Sequence, residues 1–188
     1  MIRGVFMNKR IGEVTLYWGT MFAGKTTRLI QDLKQAGEGA ICFKPATDTR
    51  YSHNISKTHD GVEFPVITIK QASDIFLLLE PHITTIGIEE ASLFYDDPTL
   101  IPTIITLRDM GYNVIITGID RNLKDEPFCQ MHKIAALADN CIKLRAKCVQ
   151  CGRPASMNYF KGKDKSNLIG GADKWEPLCR SCYMERKS

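Results

Sequence analysis

"YWGTMFAGKTTRLI", residues 17–30, passes from a strand-like run through a glycine-bounded loop into an amphipathic stretch, and its reading decides the fold. The segment Gly19-Thr-Met-Phe-Ala-Gly24-Lys25-Thr26 matches GxxxxGK[ST] and stands in the context that motif needs, after a strand and opening a helix. Glycines let the backbone curl so that successive N–H groups point inward at phosphate oxygens, and the helix that follows adds its positive dipole end. Lys25 is placed to reach β and γ phosphates and the Thr26 hydroxyl to ligate Mg²⁺. The loop residues Gly19, Thr20, Met21, Phe22, Ala23, Gly24, Lys25 and Thr26 are therefore expected to hold a nucleoside triphosphate.

Working outward, apolar runs alternate with helical patterns up to about residue 145. Strands are expected at Val14 to Trp18, Ala40 to Phe43, Val66 to Ile69, Thr84 to Ile88, Asn113 to Ile119 and Cys141 to Leu144. Helices are expected at Thr26 to Ala36 (stopped by Gly37), Ala72 to Leu79 (stopped near Pro81), Pro102 to Met110 and Met131 to Ala138. This order predicts an α/β fold with a mostly parallel sheet covered on both faces, over residues 1–145. From 146 to 188 the composition turns to paired cysteines, glycines and lysines, which predicts a small subdomain held by something other than a core.

The acidic pair Glu89-Glu90 closes the strand TTIGI, and in a parallel sheet that end lies in the crevice beside the phosphate loop. One carboxylate there can hold metal or its waters, and a second can accept a proton from an attacking hydroxyl. Arg50, in a long polar stretch, is a candidate to offset charge growing on a transferred phosphoryl group. His59 reads as a hydrogen-bonded structural residue rather than a base.

Seven cysteines is an odd number, which disfavours a fully paired disulfide framework. Cys148-x-x-Cys151 and Cys179-x-x-Cys182 offer four thiolates in two knuckles, as tetrahedral Zn²⁺ requires. The 27 residues between them, 152 to 178, exceed what a compact zinc ribbon needs and suit a lid pinned at both ends. Cys42, Cys129 and Cys141 lie on or beside apolar runs and read as core or near-core thiols.

The bulk numbers bound the rest. The 188 residues suffice for one good-sized domain with a small appendage, and 44% hydrophobic with 24% charged residues is an ordinary soluble balance. A net charge of +4 with no long basic tract makes a nucleic-acid partner unexpected. The N-terminal stretch lacks the apolar centre of a secretory signal, and the longest clearly apolar run, Ile75 to Leu79, is far too short to span a bilayer. With CxxC pairs that favour a reducing compartment, a cytoplasmic protein is expected.

Taken together and in order, GTMFAGKT, KPATDTRYS, THDG, IGIEEASLF, ITGIDRNLKDEPF, CVQC and IGGADKWEPLCRSCY make the sequence resemble the zinc-containing thymidine kinase family of vertebrate cytosol, bacteria and large DNA viruses, from about Gly12 to Tyr183. The resemblance implies a RecA-like nucleotide-binding domain and a zinc-anchored lasso that closes over thymidine. It also implies transfer of the γ-phosphate of ATP to the nucleoside 5′-hydroxyl, and a homotetramer. The family's general base falls on Glu90, and its Mg²⁺-linked Asp on Glu89, one methylene longer. Asp48 and Arg50 match the family's DTR segment near the phosphates. By the same resemblance Met21, Leu93, Ile119, Leu123, Phe128, Ile169, Gly170 and Trp175 surround the nucleoside. Ser92 and Leu93 stand where glutamine and phenylalanine are common, Leu123 for an aromatic, Asp125 for an arginine and Trp175 for a tyrosine, so the pocket has fewer rings and more room. A nucleotide-driven nucleic-acid-binding protein, with RecA-like core and zinc ribbon, is the alternative from another class.

Overall fold

The computed structural model describes residues 11–47, 55–57, 61–162 and 170–187. Asp48, Arg50, His59 and Ile169 lie outside the described residues. In chain order the elements are β1 (Val14–Gly19), α1 (Lys25–Ala36), β2 (Ala40–Pro45), β3 (Ile55–Lys57), β4 (Glu63–Pro65), β5 (Ile67–Ile69), β6 (Thr85–Ile88), α2 (Leu100–Asp109), β7 (Asn113–Ile119), α3 (Met131–Leu137), β8 (Asn140–Leu144), β9 (Met157–Phe160), β10 (Trp175–Leu178) and α4 (Arg180–Glu185).

Six strands form one sheet in the order β5-β2-β6-β7-β1-β8, and every pairing in it is parallel. The chain crosses from β1 through α1 to β2, three places away. It then fills the gap with β6 and β7 before β8 lands on the far side of β1. Register aligns the carboxyl ends: Gly19 pairs with Ile119 and Leu144, and Ile88 with Phe43 and Ile116. Three loop starts, after β1, β6 and β7, therefore emerge side by side.

Side-chain alternation divides the core between the two faces. Val14, Leu16, Phe43, Ile86, Ile88, Val114 and Ile116 bury toward the larger cluster, which also takes Leu100, Ile104 and Leu107 of α2 and Met131 and Ile134 of α3. The opposite face presents Cys42 and Ile115 to Leu29 and Leu33 of α1. On α1 the buried stripe is Lys25, Leu29, Ile30 and Leu33, at the three- and four-residue spacings of one helix face. Gly87 lets that helix approach, since a Cβ there would lie 2.9 Å from Leu33 Cδ1 and 3.0 Å from Cys42 Sγ.

Two expected elements differ. Ala72–Leu77 is a six-residue 3₁₀ helix rather than an α-helix to Leu79. Its Gln71–Asp74 capping box starts a tighter coil in which only Ala72 and Ile75 are buried, at the period of three, and Leu77 is left 84% exposed. Cys141 is exposed rather than near-core, because β8 is the outer edge of the sheet and Asn140 to Lys143 are all exposed. Cys42 is fully enclosed, and burial, then the charge of Glu89, pushes its thiol well above the ordinary range.

The C-terminal segment has a core of its own, contrary to the expectation that something else holds it. Ala146, Ala155, Met157, Leu178 and Tyr183 pack with Cys148, Cys179 and Cys182, and Phe22 and Ala23 of the phosphate loop pack against them. Two-stranded β9–β10 forms its hairpin, and Pro177 fits there because neither strand needs a second neighbour.

Placing a methyl on Gly87 tests the close approach of α1. Gly87→Ala should lower stability by about 1–3 kcal/mol, the usual cost of overpacking. The shift would be read from the urea unfolding midpoint, and an unchanged midpoint would mean that α1 can yield freely.

Candidate active site

The loop between β1 and α1 is built by backbone shape before any side chain contributes. Gly19 has φ +139°, and a Cβ on it would meet the Leu144 carbonyl oxygen at 2.0 Å, so strand β8 closes directly on the loop's first residue. Gly24 adopts φ +82° as the residue before α1, and Phe22 a left-handed φ of +62°. Thr20 is buried and its Oγ1 accepts a hydrogen bond from Ala146 N at 3.2 Å. Met21 N–H donates to Asn158 Oδ1 at 2.8 Å. The loop is thus held from both sides, by β8 and by the C-terminal hairpin. Lys25, 6% exposed, turns its Nζ back to donate to the Thr20 carbonyl at 2.8 Å.

The acidic pair follows β6. Glu89 N–H donates to Phe43 O of β2 at 2.8 Å, which fixes the strand exit, and Thr26 Oγ1 donates to Glu89 Oε1 at 2.9 Å. The phosphate-loop hydroxyl and the first acid of the pair, drawn from positions 63 residues apart, therefore meet directly. Glu90 is a left-handed residue with φ +51°, and its N–H donates to Thr117 Oγ1 of β7 at 3.1 Å. A short 3₁₀ turn, Ala91–Phe94, follows with all four side chains buried, and Tyr95 ends it at φ +48°. Ser92 Oγ accepts from Ile119 N at 3.2 Å and so ties this turn to the end of β7. Two non-glycine residues in strained backbone thus bracket one buried turn, an arrangement that persists only where the surroundings over-determine it.

Both bracketing residues face the same cavity, of about 170 Å³. Its wall contains Met21, Glu90, Leu93, Ile119, Leu123, Phe128, Gly170 and Trp175, bringing together Glu90 and seven of the eight residues expected around a nucleoside. The eighth, Ile169, is outside the described residues, as are Asp48 and Arg50 of the expected phosphate-side set. Phe128 meets Tyr95 edge-to-face with ring centroids 6.3 Å apart, and Phe160 packs on Trp175 at 5.0 Å.

Tyr95, Arg121, Asn122 and Asn158 also line the cavity, and sequence reasoning did not single them out. Tyr95 directly follows the IGIEEASLF segment and restores a ring to a pocket short of them. Arg121 sits in the loop after β7, its guanidinium 2.5 Å from Asp125 Oδ1 and 3.7 Å from Asp120 Oδ2. Asp125, which replaces an expected arginine, faces Arg121 from φ +66°, and Arg180 Nη2 lies 3.5 Å from its other oxygen. Asp120 is buried and meets Lys143 Nζ at 2.8 Å. Asn158 carries no signal in the sequence, being joined to Met21 only by the fold.

Below the hairpin, Cys148, Cys151, Cys179 and Cys182 bring four sulfurs within 4.8 Å of one another, with Cys151 and Cys179 at 3.6 Å. Tetrahedral Zn–S bonds of about 2.3 Å place sulfurs roughly 3.8 Å apart, so the cluster fits such an ion. The thiols are unequal. Hydrogen bonding from Arg153 holds Cys151 down at about 6, and burial pushes Cys182 up to about 12. Away from the cluster, burial and then the nearby Asp96 raise Cys129 to about 11, as for an inert thiol.

Known proteins resemble this chain over almost its whole length. The thymidine kinase family model matches residues 12–183. A thymidine kinase of Bacteroides thetaiotaomicron is 38% identical over 183 residues, covering 95% of this chain and 90% of its own length. One from Bacteroides fragilis is 39% identical over 180 residues, covering 94% and 89%. One from Porphyromonas gingivalis is 33% identical over 183 residues, covering 95% and 88%. A family model that spans residues 12–183, with relatives 33–39% identical over nearly the full length, establishes that the chain belongs to the thymidine kinase family.

Proposed function

We propose that this chain is an ATP-dependent thymidine kinase, moving the γ-phosphoryl group of ATP to the 5′-hydroxyl of deoxythymidine or a closely related deoxynucleoside. The observation that carries the reading is that Met21 of the phosphate loop and Glu90 wall one cavity, so a phosphate-binding loop and a buried carboxylate address the same space. The relatives named above are thymidine kinases, which supports the choice of nucleoside.

In this reading the backbone N–H groups of Gly19 to Thr26 cradle the phosphates, and Lys25 exchanges its bond to the Thr20 carbonyl for phosphate oxygens. Thr26 and Glu89 would hold Mg²⁺, which when bound would neutralise charge on the phosphate oxygens. Their mutual hydrogen bond supports the fit: the longer glutamate side chain still reaches the loop hydroxyl. Glu90 takes the proton of the 5′-hydroxyl as it attacks, and its low exposure keeps water from competing. Arg50 and Asp48 keep their phosphate-side roles on the strength of the resemblance. The nucleoside lies among Leu93, Ile119, Leu123, Phe128 and Trp175, with Ile169 and Gly170 at the polar edge of the base. The four thiolates take a structural Zn²⁺ that anchors the hairpin bearing Asn158 and Trp175.

The protein is further proposed to work in the cytoplasm, as a homotetramer, without a nucleic-acid partner. Among the described residues no helix is long and apolar enough to cross a membrane. Light scattering of the purified chain would test the assembly state.

Glu90→Gln should lower kcat for thymidine phosphorylation by about 10²- to 10⁴-fold, the usual worth of a general base, with ATP binding near wild type. Radiolabelled phosphate transfer across a nucleoside panel measures it, and undiminished turnover would remove Glu90 from the role. Thr26→Val should raise the Mg²⁺ concentration needed for half-maximal turnover while leaving the KM for thymidine unchanged. A Mg²⁺ titration at saturating nucleoside reads the difference.

A further inference from the structure

The first cysteine knuckle turns back on itself. Gly152, at φ +73°, follows Cys151, and its N–H donates to Cys148 O at 2.8 Å. Cys148 N–H in turn donates to Arg153 O at 2.8 Å. This reversal returns the chain beside the cluster and carries the Arg153 side chain over its open side, where Cys151 is exposed. Arg153 Nε donates to Cys151 Sγ at 3.4 Å, and Nη2 donates to Cys179 Sγ at 3.6 Å. One planar guanidinium thus spans two sulfurs that belong to different knuckles, 28 positions apart in the chain.

The electrostatics explain why such a group matters. Four thiolates around one divalent ion leave a net charge of −2, concentrated on the sulfurs. A guanidinium offers fixed, forked N–H donors and halves that charge where it is densest. An exposed surface pair of single point charges would be worth little, but a forked contact to two ligand atoms also fixes their separation. Groups that orient and hydrogen-bond metal ligands commonly change metal affinity 10- to 100-fold when removed.

We propose that Arg153 is a positioning residue of the four-cysteine centre. Its guanidinium clamps Cys151 to Cys179, neutralises part of the thiolate charge and sets how tightly the centre keeps its metal. The inference rests on the reading of the four thiolates as a zinc site.

The test measures metal rather than turnover. Full-length wild-type protein, R153Q and R153K are purified with zinc, their zinc content is measured, and Zn²⁺ is withdrawn by a competing chromogenic chelator. Wild type is expected to hold one zinc per chain. R153Q should bind it about 10- to 100-fold more weakly. R153K, which keeps a charge but cannot fork, should fall between. Loading the same proteins with Co²⁺ adds a signature that a merely structural residue would not move. Loss of N–H donation to sulfur should shift the sulfur-to-cobalt charge-transfer band to lower energy in R153Q.

Wild type without zinc overturns the zinc reading and the inference with it. Wild type with zinc and an R153Q affinity within about twofold overturns the role of Arg153 alone. Weaker binding with an unmoved cobalt band also overturns the clamp, leaving Arg153 a folding residue. Should R153Q fail to fold, R153K decides: wild-type affinity overturns the clamp, and weakened affinity supports it.

Discussion

Parallel pairing of β6, β7 and β1 is the constraint on which the rest of this molecule depends. Parallel strands all end on one side, so the loops that leave them are neighbours whatever their distance in sequence. Here that rule sets the phosphate loop beside the Glu89–Glu90 exit and the Asp120–Phe128 loop. The hydrogen bond between Thr26 and Glu89 is its most local expression. A sheet with antiparallel β6 would send the acidic pair to the opposite end of the domain and leave the loop facing solvent.

The C-terminal hairpin adds what the sheet cannot supply. Its small core closes on Phe22 and Ala23, Asn158 accepts from the Met21 amide, and Trp175 completes the cavity wall. Cysteines take part in that core as apolar bulk as well as bringing four sulfurs together. Packing and the thiol cluster share Cys148, Cys179 and Cys182, and that shared core lies against Phe22 and Ala23. Side chains from distant parts of the chain reach one small volume because the C-terminal core packs directly on Phe22 and Ala23 of the loop after β1.

Much of this was legible in the sequence. The phosphate loop, α1, the six sheet strands and the acidic pair could be read because period and glycine placement report backbone shape directly; β7 runs over Asn113–Ile119 as expected. The 3₁₀ segment at Ala72–Leu77 was not legible, since an apolar run such as IFLL suits several coils and exposure of Leu77 decides among them only in three dimensions. Strands β9 and β10 are four residues each, and Pro177 argues against a strand unless its isolation in a two-stranded sheet is known. Seven of the eight residues that resemblance singled out line one cavity, but Asn158 and Arg121 needed the fold. They enter the cavity through contacts across 137 residues in one case and through a short ion-paired loop in the other.

The left-handed backbone at Glu90 and Tyr95 has a consequence for any attempt to make the molecule hardier. A residue without a β-carbon would relieve the backbone strain at both positions, a gain opposed by glycine's extra freedom in the unfolded chain and, at Tyr95, by the lost ring contact with Phe128. Each such change would also strip a group from the cavity wall. Strain relief and loss of cavity wall thus come in a single change, so heat resistance and turnover would judge these two positions by different criteria.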